Sequence, residues 1–248
     1  MPRLAGKVAF VTGAGGGIGS AICRRFLEEG GRVAATDIDL AAARAAVAGA
    51  APRQAITLQA DAGDSGQVRA AITRTVAEFG LLNVLCNVAG GSSTRDAMVT
   101  EAPEEEFWRV IRLDLFGPFV SCKHGIPELI KAGGGSVINM TSMTALMGTT
   151  GVDCYTAAKG GVAAITRSIA AGYGAHGVRV NAIAPGLTLT PRARARMGLP
   201  SQQAIAARHL LGPAEPVDIA EMAVYLASDE SRVVTGQVLS VDSGVTIH

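Results

Sequence analysis

The chain lacks the residue groupings that mark metal, redox and nucleic-acid chemistry. Its four cysteines, Cys23, Cys86, Cys122 and Cys154, lie far apart, and none belongs to a C-x-x-C pair. Such thiols read as reduced and mostly buried, in a reducing compartment. The four histidines, His124, His176, His209 and His248, are equally scattered, and no H-E-x-x-H spacing occurs; no metal is expected. There is no charge excess either: 22 Lys and Arg stand against 21 Asp and Glu. That excludes a basic footprint for nucleic acid and a polybasic block for a membrane surface. The N-terminal apolar run is too short for a signal or a membrane span and runs straight into glycines. A cytoplasmic protein is expected.

What is present is a chain of 248 residues, 48% apolar and 17% charged, with 31 glycines. That composition is globular, and the length suits one large domain over residues 1–248 better than two small ones. Apolar runs of strand length alternate with longer amphipathic segments. Strands are expected at 7–12, 32–37, 55–60, 82–90, 135–142, 178–186 and 237–242. Helices are expected at 18–30, 39–49, 64–79, 103–131, 153–173 and 217–228. Near-continuous Val/Ile/Ala strands require a sheet covered on both faces, and the alternation implies parallel βαβ crossovers. One irregular stretch, about 187–215, carries Pro191, Pro200, Pro213 and, at its far edge, Pro216. A long loop in an otherwise compact pattern is expected to be functional.

The segment VTGAGGGIGSA places Gly13, Gly17 and Gly19 directly after the first strand and at the start of the first helix. Glycine permits the tight turn and a close backbone approach to a pyrophosphate, and the helix N-terminus offers free N–H groups to phosphates. The spacing differs from G-x-x-x-x-G-K-[ST], which disfavours an NTPase loop. Asp37 ends the second strand, 18 residues after Gly19. A carboxylate there accepts both ribose hydroxyls of an adenosine, whereas a 2′-phosphate would meet a like charge. No arginine compensates, since Ile38 follows the aspartate and Gly16 fills the turn. The expected cofactor is therefore NAD rather than NADP. Asp37 has a structural alternative as the N-cap of the next helix.

Tyr155 and Lys159 are spaced i, i+4 in DCYTAAKGG, in a chain with only three tyrosines and four lysines. On a helix they share a face, and a fixed ammonium favours the phenolate. That turns a poor acid/base into one usable near neutrality. Ser142 ends the preceding strand, at the carboxyl edge where open α/β sheets bind ligands.

The set TGAGGGIG, NVAG (87–90), Ser142, YTAAK and NAIAPG (181–186) resembles, in order and spacing, the short-chain dehydrogenases/reductases over essentially the whole chain. The resemblance implies a doubly wound Rossmann fold with a seven-stranded parallel sheet and helices on both faces. It also implies a homotetramer or homodimer and a small alcohol or ketone substrate. In this reading Tyr155 exchanges a proton with the substrate oxygen, Ser142 orients that oxygen, and Lys159 tunes Tyr155 and holds the nicotinamide ribose. Gly13, Gly17, Ile18 and Gly19 surround the diphosphate, and Asp37 and Ile38 the adenosine ribose. Asp61 and Ala62 contact the adenine, while Asn87, Ala89 and Gly90 face the central part of the cofactor. Pro185, Gly186, Leu187, Thr188 and Thr190 border the nicotinamide. Asp114 departs from the pattern, standing where the family has an asparagine in its proton relay. Aspartate keeps an acceptor but loses the amide donor, and if ionised it adds a negative charge near Lys159.

The 187–215 loop is expected to cover the substrate, as in the family. Met143, Leu146, Met147, Met197 and Leu199 are expected to make its apolar pocket, with Ser92 and Ser93 at its edge. Arg192, Arg194, Arg196 and Arg208 either clamp an anionic group or form a solvated face. The leading reading is an NAD-dependent secondary-alcohol dehydrogenase. A 3-oxoacyl reductase and a non-catalytic NAD-binding regulator are the alternatives.

Overall fold

The computed structural model describes residues 2–247. Seven strands form one parallel sheet: β1 (Val8–Thr12), β2 (Arg32–Asp37), β3 (Ala55–Gln59), β4 (Val84–Asn87), β5 (Gly135–Met140), β6 (Val178–Pro185) and β7 (Val238–Val241). Their order across the sheet is β3-β2-β1-β4-β5-β6-β7, so the direction of winding reverses between β1 and β4. This is the doubly wound fold, and the reversal opens a crevice at the carboxyl ends of β1 and β4.

Alternate residues of each strand feed opposite cores, because strand side chains alternate. Ala9 and Val11 of β1 pack with α1 (Gly17–Glu28), α2 (Leu40–Ala46) and α9 (Pro216–Ala227). Val8 and Phe10 pack on the other face with α3 (Ser65–Phe79), α5 (Gly117–Lys131) and α6 (Asp153–Tyr173). Phe10, Phe26, Leu85, Ile138 and Ile183 are completely buried. Both faces are therefore covered, as the apolar strands require.

Of the expected boundaries that shift, three have a clear local reason. The fourth strand stops at Asn87 because the next two N–H groups, of Val88 and Ala89, turn to the Thr12 hydroxyl at 3.1 and 3.3 Å. The helix expected over 103–131 is divided into α4 (Glu104–Val110), a π-helical turn (Ile111–Phe116) and α5. Pro118 has no N–H to give the carbonyl of Asp114 four residues earlier, and its ring crowds that carbonyl, so the helix widens there. The stretch expected as a loop over 187–215 holds two short helices, α7 (Pro191–Arg194) and α8 (Pro200–Ala207), and a parallel bridge between Thr188 and Ala214. Pro191 and Pro200 each stand at the first helical position, where a missing N–H costs nothing. No helix among the described residues is long and apolar enough to cross a membrane.

Candidate active site

The glycine turn between β1 and α1 folds on itself and against the start of the segment after β4. Gly13 has φ +66°, and a Cβ there would lie 2.7 Å from the backbone of Ala89. A Cβ on Gly19 would lie 2.0 Å from the Gly13 carbonyl oxygen. Only glycine permits these approaches. The N-cap of α1 is Gly16, which provides no side-chain cap. The first-turn N–H groups therefore stay available to an anion at the positive end of the helix dipole.

Asp37 is not the N-cap of α2; that role belongs to Asp39, which accepts from Ala41 and Ala42. Asp37 instead accepts from the N–H of Gly15 at 2.9 Å and of Asp39 at 3.0 Å, which fixes its carboxylate beside the glycine turn.

These groups open on one cavity of about 970 Å³, which runs to Ser142, Tyr155 and Lys159. Ser142 leaves β5 and caps the short turn after it, its hydroxyl accepting from the Thr144 N–H at 3.3 Å. Tyr155 and Lys159 are on α6, with the Lys159 Nζ 5.3 Å from the centroid of the tyrosine ring. The Thr141 hydroxyl clamps α6 to the sheet by donating to the Lys159 carbonyl at 2.7 Å. The Lys159 ammonium donates to the Met140 carbonyl at 2.9 Å and pairs with the Asp114 Oδ1 at 3.0 Å.

The electrostatics refine the expectation for Tyr155. Burial pushes the phenol above its ordinary value; Lys159, the Ser142 hydroxyl and Arg192 pull it down, while Asp114 pushes it up. The lysine acts with the expected sign, but desolvation outweighs it in the protein alone. For Lys159 itself, burial works against the ammonium, yet Tyr155 and Asp114 together hold it above the ordinary lysine value.

Most of the residues expected to hold the cofactor line this cavity. Gly13, Gly17, Ile18, Gly19, Asp37, Ile38, Asp61 and Ala62 do so at one end; Ala89, Gly90, Pro185, Gly186, Leu187, Thr188 and Thr190 line the rest. Ser92, Met143 and Met147 line it as well, whereas Met197, Leu146 and Leu199 do not. The Asp61 carboxylate is shared with Arg112 at 2.9 Å. Asn87 turns its side chain inward: its Nδ2 donates to Asn139 at 2.8 Å, and Asn139 donates on to the Thr166 hydroxyl at 2.9 Å. That chain ties β4 and β5 to α6. Ser93 donates to the buried Glu106 at 2.6 Å instead of edging the pocket.

Two positioning residues have no signal in the sequence. Asp96 accepts from the N–H groups of Cys154 at 3.1 Å and Tyr155 at 2.8 Å, capping α6 from a distant loop. The helix needs this because its own N-cap, Val152, offers no side-chain acceptor. His209 accepts the Leu187 N–H at Nε2 (2.8 Å), while its Nδ1 meets the Ile205 carbonyl at 2.9 Å. A backbone N–H only donates, so the ring carries its proton on Nδ1 and bolts α8 to the Gly186–Leu187 turn.

The thiols are withdrawn from solvent. All four cysteines are buried, and burial pushes Cys23 and Cys122 up to about 12 and Cys154 up to about 11. Among the described residues no group of three or more His, Cys, Asp or Glu is placed to hold a metal ion.

The fold defines a class, the Rossmann-type doubly wound α/β proteins. Comparison with known proteins narrows it. A family model described as enoyl-(acyl carrier protein) reductase matches residues 13–246. Momilactone A synthase of Oryza sativa subsp. japonica is 36% identical over 251 residues, covering 99% of this chain and 92% of that protein. Cis-4-hydroxycyclohexanecarboxylate dehydrogenase of Sinomonas cyclohexanicum is 39% identical over 244 residues, covering 97% and 96%. A crystal structure assigned to the short-chain dehydrogenases/reductases of Burkholderia xenovorans superposes with a TM-score of 0.92 at 33% identity, over 100% of this chain and 99% of the other. The chain belongs to the short-chain dehydrogenase/reductase family, whose members use NAD or NADP.

Proposed function

We propose that the chain is a single-domain dehydrogenase over residues 1–248, transferring a hydride between NAD(H) and a secondary alcohol or ketone, with Tyr155 as acid/base. The observation that carries this reading is the convergence of Ser142, Tyr155 and Lys159 on the cavity that begins at the glycine turn. The relative named for a cyclic secondary alcohol, 4-hydroxycyclohexanecarboxylate, supports the substrate class.

The cavity suits a dinucleotide. The turn approaches too closely for any side chain at Gly13 or Gly19, and the α1 N–H groups carry no internal cap. In this reading they hold the diphosphate, Asp37 holds the adenosine ribose hydroxyls, and Lys159 holds the second ribose. The bound nicotinamide supplies or accepts the hydride. NAD is preferred because Asp37 faces a 2′-phosphate with a like charge, worth ~4 kcal/mol at ~4 Å and an effective dielectric of about 20.

In oxidation, the Tyr155 phenolate takes the proton of the substrate hydroxyl while Ser142 holds the same oxygen. In reduction, the phenol returns that proton to the carbonyl oxygen. Lys159 lowers the cost of the phenolate by its charge, against the burial that raises it, and the clamp from Thr141 and the cap from Asp96 keep the reacting groups on one fixed helix. The segment 187–215 covers the substrate, anchored through His209. Stacked and partly exposed Phe116 and Phe119, with Trp108 exposed nearby in sequence, support assembly into a homotetramer or homodimer.

The test is an NAD-reduction screen over secondary alcohols, hydroxy acids, sugars and steroids, with Tyr155→Phe as control. Turnover that the control loses supports the reading. A control with full activity overturns the mechanism, and tight NAD binding without turnover favours a regulator.

A further inference from the structure

The covering segment carries more positive charge than hydride transfer requires. Arg192 on α7, Arg196 just after it and Arg208 at the end of α8 all line the cavity. None of the three guanidiniums has a hydrogen-bond or ion-pair partner among the described residues. Arg194, in the same run, turns away and is held by Glu215 at 2.6 Å. The segment thus treats its arginines differently: Arg194 is neutralised, while the exposed Arg192 and Arg208 and the half-buried Arg196 line the cavity unpaired among the described residues. The two carboxylates on the cavity wall answer none of them. Asp37 is engaged by backbone N–H groups beside the glycine turn, and Asp61 is paired with Arg112.

Arg192 reaches the reacting end. Its Nη2 lies 2.6 Å from where a Cβ on Gly91 would stand, and its charge is felt at the Tyr155 phenol. The same cavity is lined by apolar side chains, Met143, Met147, Val152 and Ile205. Three like charges around one cleft repel unless an anion enters, and guanidinium forks match carboxylate, sulfonate and phosphate oxygens.

We propose that the substrate is a secondary alcohol, or its ketone, with an apolar body and an anionic group that Arg192, Arg196 and Arg208 bind. The proposal rests on the secondary-alcohol reading above. The cofactor diphosphate offers the same anionic chemistry, and Thr190 and Pro191 lie against Gly17 at the base of the segment. The experiment therefore separates the two sources.

Hydroxy carboxylates and their methyl esters are compared as matched pairs with NAD, for the wild-type protein and for Arg196→Gln/Arg208→Gln. NADH affinity is measured by fluorescence in parallel. The acids are expected to exceed their esters at least about tenfold in kcat/KM, and the double variant to bring that ratio toward one with NADH affinity within about twofold. Esters turned over as well as acids, or a loss that falls on NADH affinity instead, overturns the proposal. If neither member of any pair turns over, the secondary-alcohol reading fails separately. Calorimetry of the protein–NADH complex with the same acids then decides the anion site: binding abolished in the double variant supports it, and equal binding of acid and ester overturns it.

Discussion

The Lys159 ammonium and the Asp114 carboxylate form a buried ion pair at 3.0 Å, with 3% and 0% of their side chains exposed. The same Oδ1 accepts the Gly91 N–H at 2.8 Å, while Oδ2 has no partner. Asp114 thus links the lysine to the turn after β4, and it adds a negative charge that opposes ionisation of Tyr155. Asp114→Asn removes that charge and keeps an acceptor. Alcohol oxidation needs the phenolate, so the rising limb of its pH–rate profile is expected to move to lower pH. An unchanged profile would show that Tyr155 does not feel the charge.

Asp114→Ala leaves the buried ammonium with the Met140 carbonyl as its hydrogen-bond acceptor and no ion-pair partner among the described residues. The expected loss is about 3–5 kcal/mol in urea unfolding near neutral pH, with Asp114→Asn losing less. Lys159 is held above the ordinary lysine value of 10.5 in the folded state. Its contribution is therefore fully present below that value and is lost as pH rises through the folded one. The deficit of Asp114→Ala is expected to narrow in strongly alkaline solution; a deficit that grew there would contradict the assignment.

Asp37 sets the cofactor preference by charge. The wild-type protein is expected to favour NAD over NADP by at least about a hundredfold in kcat/KM, and Asp37→Ser to narrow this by at least about tenfold. Some NAD affinity falls with it, because the Gly15 N–H loses its acceptor. Equal use of both cofactors by the wild-type protein would sink the argument.

The four thiols are buried and pushed upward, so the folded protein is expected to react with none of its cysteines on adding a thiol reagent at neutral pH. Unfolding in denaturant should release all four. Rapid labelling of Cys154 without loss of structure would show that the start of α6 opens to solvent.

Groups set by short spacings are legible in the amino-acid sequence itself. The glycine turn, Asp37 at a strand end and the Tyr155–Lys159 spacing each express their geometry within a few residues, and the alternation of strands and helices implies the sheet. Groups placed by long-range packing are silent. Asp96 caps a helix 57 residues on through a loop of no regular pattern, and His209 is, by spacing, one of four scattered histidines. The inward turn of Asn87 depends on Asn139, which only pairing of β4 with β5 brings opposite it. The widened turn at Asp114 has a local cause in Pro118, but a proline near a helix reads equally as a start or a break.

The most direct measurement is single-turnover hydride transfer by Tyr155→Phe on a substrate of the wild-type protein, with NADH affinity measured on the same preparation. The phenyl ring keeps the packing and removes only the hydroxyl. A loss of at least about a hundredfold in the transfer rate, with NADH affinity within about twofold, is expected of a residue that moves the proton. Transfer at the wild-type rate would contradict the account, because a proton delivered equally well without the phenol is not delivered by Tyr155.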